Sequence, residues 1–268
     1  KKNLEDVDII VFDIQDVGAR FYTYISTLHY VLEACSEENI TVIVLDRPNP
    51  NGHYVDGPVL EEKYKSFVGM HPIPTVHGMT IGEYAKMING EKWIDKKSNL
   101  TIIEMLNYDR NRIYELPVKP SPNLPNKKSI NLYPSLCLFE GTNVSIGRGT
   151  EKPFQHFGSP FLKHYSYAFQ PKSGPGSKYP KHENKICYGK DLINTPILNS
   201  INLEWLIETY NQSQNKEDFF IGFFDKLAGT DKLRKQIISG KSSKEIKKSW
   251  KADLKEFKNV RKKYLLYN

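Results

Sequence analysis

No apolar run in the 268 residues approaches the roughly 20 that a membrane-spanning helix needs. The longest, Ile9-Ile10-Val11-Phe12 and Thr41-Val42-Ile43-Val44-Leu45, have the length of buried strands, so no integral membrane segment is expected. Cysteine is scarce. Cys35, Cys137 and Cys187 are far apart, odd in number, and form neither a CxxC nor a zinc-type pairing with histidine, which argues against structural disulfides and against a metal site. Also missing are a GxGxxG after the first strand, a GxxxxGK[ST], an HExxH and a GxSxG. Dinucleotide oxidoreductase, P-loop kinase, zincin and α/β-hydrolase readings weaken accordingly, and no cofactor is expected.

What is present is a globular composition, 39% apolar and 26% charged, in a chain long enough for one large domain or two medium ones. The net charge of +7 belongs to one segment: residues 241–268 hold ten Lys and Arg against three Asp and Glu, and the other 240 residues hold 28 of each sign. Ile246, Trp250, Leu254, Phe257, Val260 and Tyr264 fall there at steps of three and four. The segment therefore reads as an amphipathic helix with a lysine-rich outer face, a solvated surface first and a polyanion-binding strip second. No nucleic-acid partner is expected.

Residues 7–13 are a strand-like run ending in a carboxylate, residues 21–37 have helical spacing, and residues 41–45 are a second continuous apolar strand. Continuous strands joined through a helix predict a parallel sheet covered on both faces. The expected fold class is α/β: a Rossmann-like parallel-sheet domain over residues 1–116, with part of it lying upstream of this sequence, and a smaller α+β domain over residues 117–268 that contributes the other wall of a cleft. Thr80 and Glu83 have the spacing of a helix capping box. Long stretches rich in proline and glycine at 48–76 and 173–180, and one dense in proline and asparagine at 116–134, are candidates for site-forming loops, the last equally for a domain boundary.

Four clusters carry the polar chemistry. In open α/β sheets ligands sit beyond the carboxyl ends of strands, where Asp13, Gln15 and Asp16 fall, followed by Arg20 and Tyr22. The competing reading is that Asp16 caps the next helix and pairs with Arg20. Asp46, Arg47 and Asn49 end the second strand, as a ligand wall or as a proline-stiffened turn. His77 stands before glycine and a helix start, suited to proton transfer or to plain hydrogen bonding. Glu140 follows Leu136-Cys137-Leu138-Phe139, an apolar setting that would suit it to general acid work, in a glycine-rich segment with Asn143 and Arg148; the competing reading makes it the ion-pair partner of Arg148.

The sequence resembles the NamZ-type exo-β-N-acetylmuramidases. The likeness rests on residues Phe12-Asp13-Ile14-Gln15-Asp16-Val17-Gly18-Ala19-Arg20-Phe21-Tyr22-Thr23-Tyr24, Leu45-Asp46-Arg47-Pro48-Asn49-Pro50, His77-Gly78-Met79-Thr80-Ile81-Gly82-Glu83, Pro120-Ser121-Pro122-Asn123-Leu124-Pro125, Glu140-Gly141-Thr142-Asn143-Val144-Ser145-Ile146-Gly147-Arg148-Gly149-Thr150 and Tyr264-Leu265-Leu266-Tyr267. It implies a glycoside hydrolase releasing N-acetylmuramic acid from the non-reducing end of peptidoglycan glycans or their disaccharide fragments. Family members carry an upstream Gly-Pro-Glu-His-Gly motif whose glutamate is a catalytic candidate, and this sequence has no match to it. Glycosidases usually pair two carboxyl groups, which here gives Glu140 first and Asp16 second, with His77 as a further catalytic candidate. Arg148 or Arg20 is expected to read the lactyl carboxylate. Asn143, Asn123 and His77 are expected to meet sugar hydroxyls and the acetamido group. The expected partner is a peptidoglycan-derived glycan in an extracytoplasmic compartment, with a homodimer left open. A non-catalytic glycan-binding protein and an aspartate-dependent phosphatase are the alternatives.

Overall fold

A computed structural model describes residues 4–267. In chain order, β1 (Ile9–Phe12) leads through α1 (Tyr24–Glu37) into β2 (Thr41–Leu45). The antiparallel pair β3 (Asp56–Val59) and β4 (Pro74–Val76) precedes α2 (Ile81–Gly90) and β5 (Leu100–Ile103). Strands β1, β2 and β5 form a parallel sheet in that spatial order, with Ile10 opposite Val42 and Val44 opposite Ile102. Because side chains alternate along a strand, one face presents Phe12, Val42 and Val44 to Leu28, Leu32, Tyr84 and Ile88 of α1 and α2. The other face corrects the expectation of a doubly covered sheet: Ile9, Val11 and Ile103 are more than half exposed.

Helix α1 starts three residues later than its spacing predicts. Ala19 bridges Val76 and the Arg20 amide donates to the Thr75 carbonyl at 2.8 Å, so the chain is tied to β4 and then turns, with the Tyr22 amide donating to the Ala19 carbonyl at 2.8 Å, before the helix begins. Helix α2 opens where its residues predict, with the Thr80 hydroxyl accepting from the Glu83 amide and the Glu83 carboxylate accepting from the Thr80 amide. Loss of such a cap costs about 1 kcal/mol.

The second half runs from α3 (Lys127–Leu136) through a 3-10 turn (Cys137–Gly141) into the antiparallel sheet of β6 (His156–Ser159), β7 (Tyr167–Phe169) and β8 (Cys187–Asp191), ordered β6-β8-β7. Five helices close it: α4 (Glu204–Gln212), α5 (Phe224–Ala228), α6 (Lys232–Ile238), α7 (Ser243–Ser249) and α8 (Lys251–Arg261). Its core gathers Phe139, Phe157, Leu206, Phe219, Phe224 and Leu233, and also Val17, Ala19, Phe21 and Val76 from the first half. The closing segment, expected as one amphipathic helix, is two. Trp250 packs into this second core, whereas Phe257, Val260 and Tyr264 pack back on the first, so the chain turns between them. The last helix thus returns to the parallel-sheet layer, and a cut between residues 116 and 117 does not separate the two cores.

Candidate functional site

Two polar clusters lie where the parallel sheet meets the second half. Asp16 follows β1, and its Oδ2 accepts from the Gly18 amide at 2.7 Å. Gly18 has φ of 77°, and a Cβ there would collide with the Asn49 side chain at 2.2 Å, so the residue must be glycine. His77 follows β4 and is fully buried. Its Nδ1 accepts from the Met79 amide at 3.2 Å, which places the proton of the neutral ring on Nε2, facing Asp16 Oδ2 at 3.6 Å. Among the described residues neither His77 Nε2 nor Asp16 Oδ1 has a hydrogen-bond partner, although both atoms are buried. Buried polar atoms are normally satisfied, so the two atoms are candidates for a polar ligand group, and Asp16 neither caps α1 nor pairs with Arg20.

The second cluster sits on the 3-10 turn and the loop after it. Arg148 grips Glu140 with both arms of its fork, Nε to Oε1 at 2.6 Å and Nη2 to Oε2 at 3.3 Å. Burial works against the Arg148 charge, but Glu140 more than offsets it and holds the guanidinium above its ordinary value. The expectation that flanking apolar residues prepare Glu140 as a general acid is corrected by this pairing: a carboxylate held by a guanidinium fork serves as base, nucleophile or electrostatic stabiliser. The pair lines a cavity of about 210 Å³ with Ser145, Tyr179 and Lys181. Lys181 lies against the turn and donates to the carbonyls of Phe139, Glu140 and Thr142. Burial brings its ammonium down to about 8. His182 Nε2 is 2.6 Å from the Asn143 carbonyl, and Asn143 Oδ1 is itself buried without a partner among the described residues.

An aromatic seam joins the clusters. The Tyr22 hydroxyl donates to the Pro120 carbonyl at 2.8 Å, and burial followed by the Asp16 charge raises its pKa. Its ring stands edge-on to Tyr24 at 5.4 Å and to Tyr133 at 6.0 Å, and Tyr133 meets Phe154, over which Arg148 lies at 5.0 Å. Asn123 donates from Nδ2 to the Gly176 carbonyl, clamping the loop that carries Tyr179 and Lys181 against the residues after Pro120.

Other residues nominated from sequence serve the fold. Arg20 is fully buried, and donates from Nη1 to the Pro58 and Ile73 carbonyls and from Nη2 to those of Leu227 and Ala228. The last two close α5, whose C-terminal dipole favours a cation. Burial nevertheless brings its pKa down to about 9. With both terminal nitrogens on main-chain carbonyls and only the fully buried Nε unpartnered among the described residues, Arg20 offers no fork to a substrate carboxylate, which corrects that expectation. Asp46 anchors α2, accepting from the Gly82 amide, the Thr80 hydroxyl and the Tyr267 hydroxyl at 2.7–2.8 Å. Asn49 donates to the Met79 carbonyl and accepts from the Asn51 amide, again structure rather than a free sugar ligand. Gln15 donates to the carbonyls of Asp16 and Pro48. Asp13 and Arg47 form a half-exposed pair at the strand tips, Nε to Oδ1 at 2.6 Å.

Sequence reasoning missed Lys181 and His182, which follow the loop at 173–180, and a buried chain beside His77. There His71 bridges the Tyr84 hydroxyl at 2.8 Å and His29 at 2.9 Å. Tyr84 also touches His77 ring to ring at 5.4 Å.

Comparison with known proteins gives one answer. The family description "Exo-beta-N-acetylmuramidase NamZ, N-terminal" matches residues 1–128, and "Exo-beta-N-acetylmuramidase NamZ, C-terminal" matches residues 131–267. The peptidoglycan beta-N-acetylmuramidase NamZ of Bacillus subtilis strain 168 is 41% identical over 98% of this chain and 68% of its own length. Two crystal structures of DUF1343 family proteins from Bacteroides fragilis superpose over the whole chain. One has 51% identity and a TM-score of 0.98 over 78% of its chain, the other 28% identity and a TM-score of 0.84 over 77%.

Proposed function

This chain belongs to the NamZ exo-β-N-acetylmuramidase family, and from that premise we propose how its residues hydrolyse the bond that releases N-acetylmuramic acid from the non-reducing end of a peptidoglycan glycan. The observation that carries the assignment is Glu140, an acidic side chain fixed by Arg148 on the wall of a cavity of about 210 Å³. In a reaction through an oxocarbenium-like transition state, such a carboxylate stabilises developing positive charge, activates water or attacks the anomeric carbon. Asp16 and His77 form the facing pair: the orphaned Nε2 proton of His77 and the orphaned Oδ1 of Asp16 offer one donor and one acceptor to a sugar or a water. Arg148 keeps Nη1 outside its Glu140 fork and is assigned to the lactyl carboxylate. Asn143 and the Tyr22 and Tyr24 rings are assigned to the acetamido group and the sugar face. The substrate is a cell-wall polymer, which supports an extracytoplasmic place of action.

Nothing in the geometry favours the phosphatase alternative. Asp13 is tied to Arg47 in a half-exposed pair while Asp16 is buried against His77, so the two aspartates do not converge. The deciding measurement is nitrophenol release from nitrophenyl β-N-acetylmuraminide beside the β-N-acetylglucosaminide, which lacks only the lactyl ether. Turnover of the first alone is expected. Tight binding without turnover would turn the assignment to a glycan-binding protein.

A further inference from the structure

The basic C-terminal segment has a sharper pattern than its composition suggests. Lys244, Lys248, Lys251, Lys255, Lys258 and Lys262 recur at steps of four, three, four, three and four, and all six are exposed. On α8 alone Lys251, Lys255, Lys258 and Lys262 fall within an arc of roughly 60° of a helical wheel and run about 16 Å along the axis. Acidic residues of the same helix are sorted elsewhere. Asp253 and Glu256 line a cavity with Glu91 and Trp93, and the buried side carries Phe257. Ion pairs in the segment involve Lys247 with Asp56 and Lys263 with Glu91, and among the described residues none of the six striped lysines has a carboxylate within 4 Å.

The helix that carries the stripe is anchored beside His77 by a residue on its inner side. Arg261, between Lys258 and Lys262, donates from Nη2 to the Gly78 carbonyl at 2.6 Å, and Gly78 follows His77. Gly78 has φ of 64°, and a Cβ there would approach Arg261 Nη2 to 3.1 Å, so the contact depends on glycine. The helix is therefore docked by its C-terminal turn onto the loop that supplies one of the candidate catalytic groups.

We propose that the lysine stripe of α7 and α8 is a docking rail for the anionic glycan strand of the polymeric substrate, engaging carboxylates of sugar units beyond the one held in the site. The proposal rests on the muramidase reading above. N-acetylmuramic acid recurs along such a strand, each unit bringing a carboxylate on its lactyl ether or on the attached peptide, so a periodic cation row is complementary to it. Lysine suits the task, because a flexible strand whose carboxylates vary in position is better held by mobile, well-hydrated point charges than by rigid forks. Long-range attraction of this kind raises association rates by 10-fold or more and fades with salt.

The test compares the parent protein with a Lys251→Gln, Lys255→Gln, Lys258→Gln, Lys262→Gln variant on purified peptidoglycan strands and on nitrophenyl β-N-acetylmuraminide. The expected result is a kcat/KM on strands about tenfold lower at low ionic strength, with the small substrate turned over within twofold of the parent. In about 0.5 M salt the two proteins should converge on strands, as screening removes the parent's advantage. Equal rates on strands with the same salt profile would overturn the proposal. Should the parent cleave neither substrate, the muramidase reading fails on its own, and co-sedimentation with strands still judges the rail: pelleting of the parent alone supports it, equal pelleting sinks it. Parent binding to phosphatidylglycerol vesicles as strong as to strands, lost in the variant, would reassign the stripe to a lipid surface and overturn the proposal as stated.

Discussion

The two candidate clusters, taken as the two walls of the proposed site, each set an acidic residue beside a basic partner, and they are built in opposite ways. Glu140 is half-buried and fully engaged, gripped by Arg148. Asp16 is buried and under-engaged, with one oxygen and the facing His77 nitrogen left without partners among the described residues. Low local dielectric makes an unpaired polar group costly, so the proposed role of the Asp16–His77 pair is to meet a hydroxyl or water that would complete its hydrogen bonds. The Glu140–Arg148 pair offers a charge whose position is already fixed, which is the condition for stabilising a cationic transition state without reorganisation. One wall is prepared to bind, the other to hold charge.

If that division is right, the walls respond differently to isosteric amides. Glu140→Gln removes the fixed negative charge and should lower kcat by about 10³-fold with KM little changed, measured on the nitrophenyl muraminide. Retention of full turnover would remove Glu140 from the mechanism. Arg20→Met tests the opposite claim, that an arginine in the same motif as Asp16 belongs to the fold. Leaving four buried carbonyls without their donor should cost about 3–5 kcal/mol in urea unfolding, and any folded fraction should keep its KM. A KM defect at unchanged stability would return Arg20 to the site. Asp16→Asn and His77→Gln should raise KM by about 10- to 100-fold with kcat little changed, since contacts made equally in ground and transition states act on KM alone. A loss confined to kcat would erase the distinction between the walls.

How much of this was legible in the sequence follows from where the partners lie. Strands β1 and β2 and the Thr80–Glu83 cap depend on neighbours within a few residues, and their residues predict them directly. The Glu140–Arg148 pair spans eight residues, and both of its readings were visible, though not which would hold. Arg20 was illegible for the reverse reason: a charged residue in a polar motif looks like a ligand reader, and its partners are carbonyls of residues 58, 73, 227 and 228, which leave no mark on side-chain identity. Asp46 misled in the same way, because Tyr267 reaches it from 221 residues away. Lys181 was hidden by its place after a glycine-rich loop. The only signal was the cluster Tyr179-Pro180-Lys181-His182 at that loop's end.

Each wall also has a neutral histidine behind it, and acid should weaken both. Burial brings His71 down to about 3, helped by His29 and Lys65. Burial likewise brings His156 down to about 4, against the pull of Asp191. An unfolded chain protonates these rings near 6.5. Between that value and the folded ones the unfolded state binds more protons, so stability is full above 6.5 and falls as pH drops through the window. The expected slope is about 1.4 kcal/mol per pH unit for each histidine. His71→Gln should remove one share of the slope and His156→Gln the other, measured by urea unfolding between pH 7 and 4.5. Identical slopes in parent and variants would show that neither ring is held neutral by the fold.

The smallest effect is expected where the geometry looks most alike. Arg47 Nε meets Asp13 Oδ1 at 2.6 Å, the same separation as Arg148 Nε and Glu140 Oε1. Their surroundings differ: the first pair is 41% and 44% exposed and the second 33% and 26%. A pair open to solvent on this scale is screened and is worth about 0–1 kcal/mol, so Asp13→Asn should leave the unfolding midpoint nearly unchanged. Its place at the tip of β1, just before Gln15 and Asp16, suits it to the outer part of a glycan rather than to the reacting bond in the proposed reading. KM for peptidoglycan strands should therefore rise by a small factor while kcat on the nitrophenyl substrate stays level. A fall in kcat of the size expected for Glu140→Gln would mean that a matching ion-pair distance, and not burial, decides which carboxylate does the chemistry.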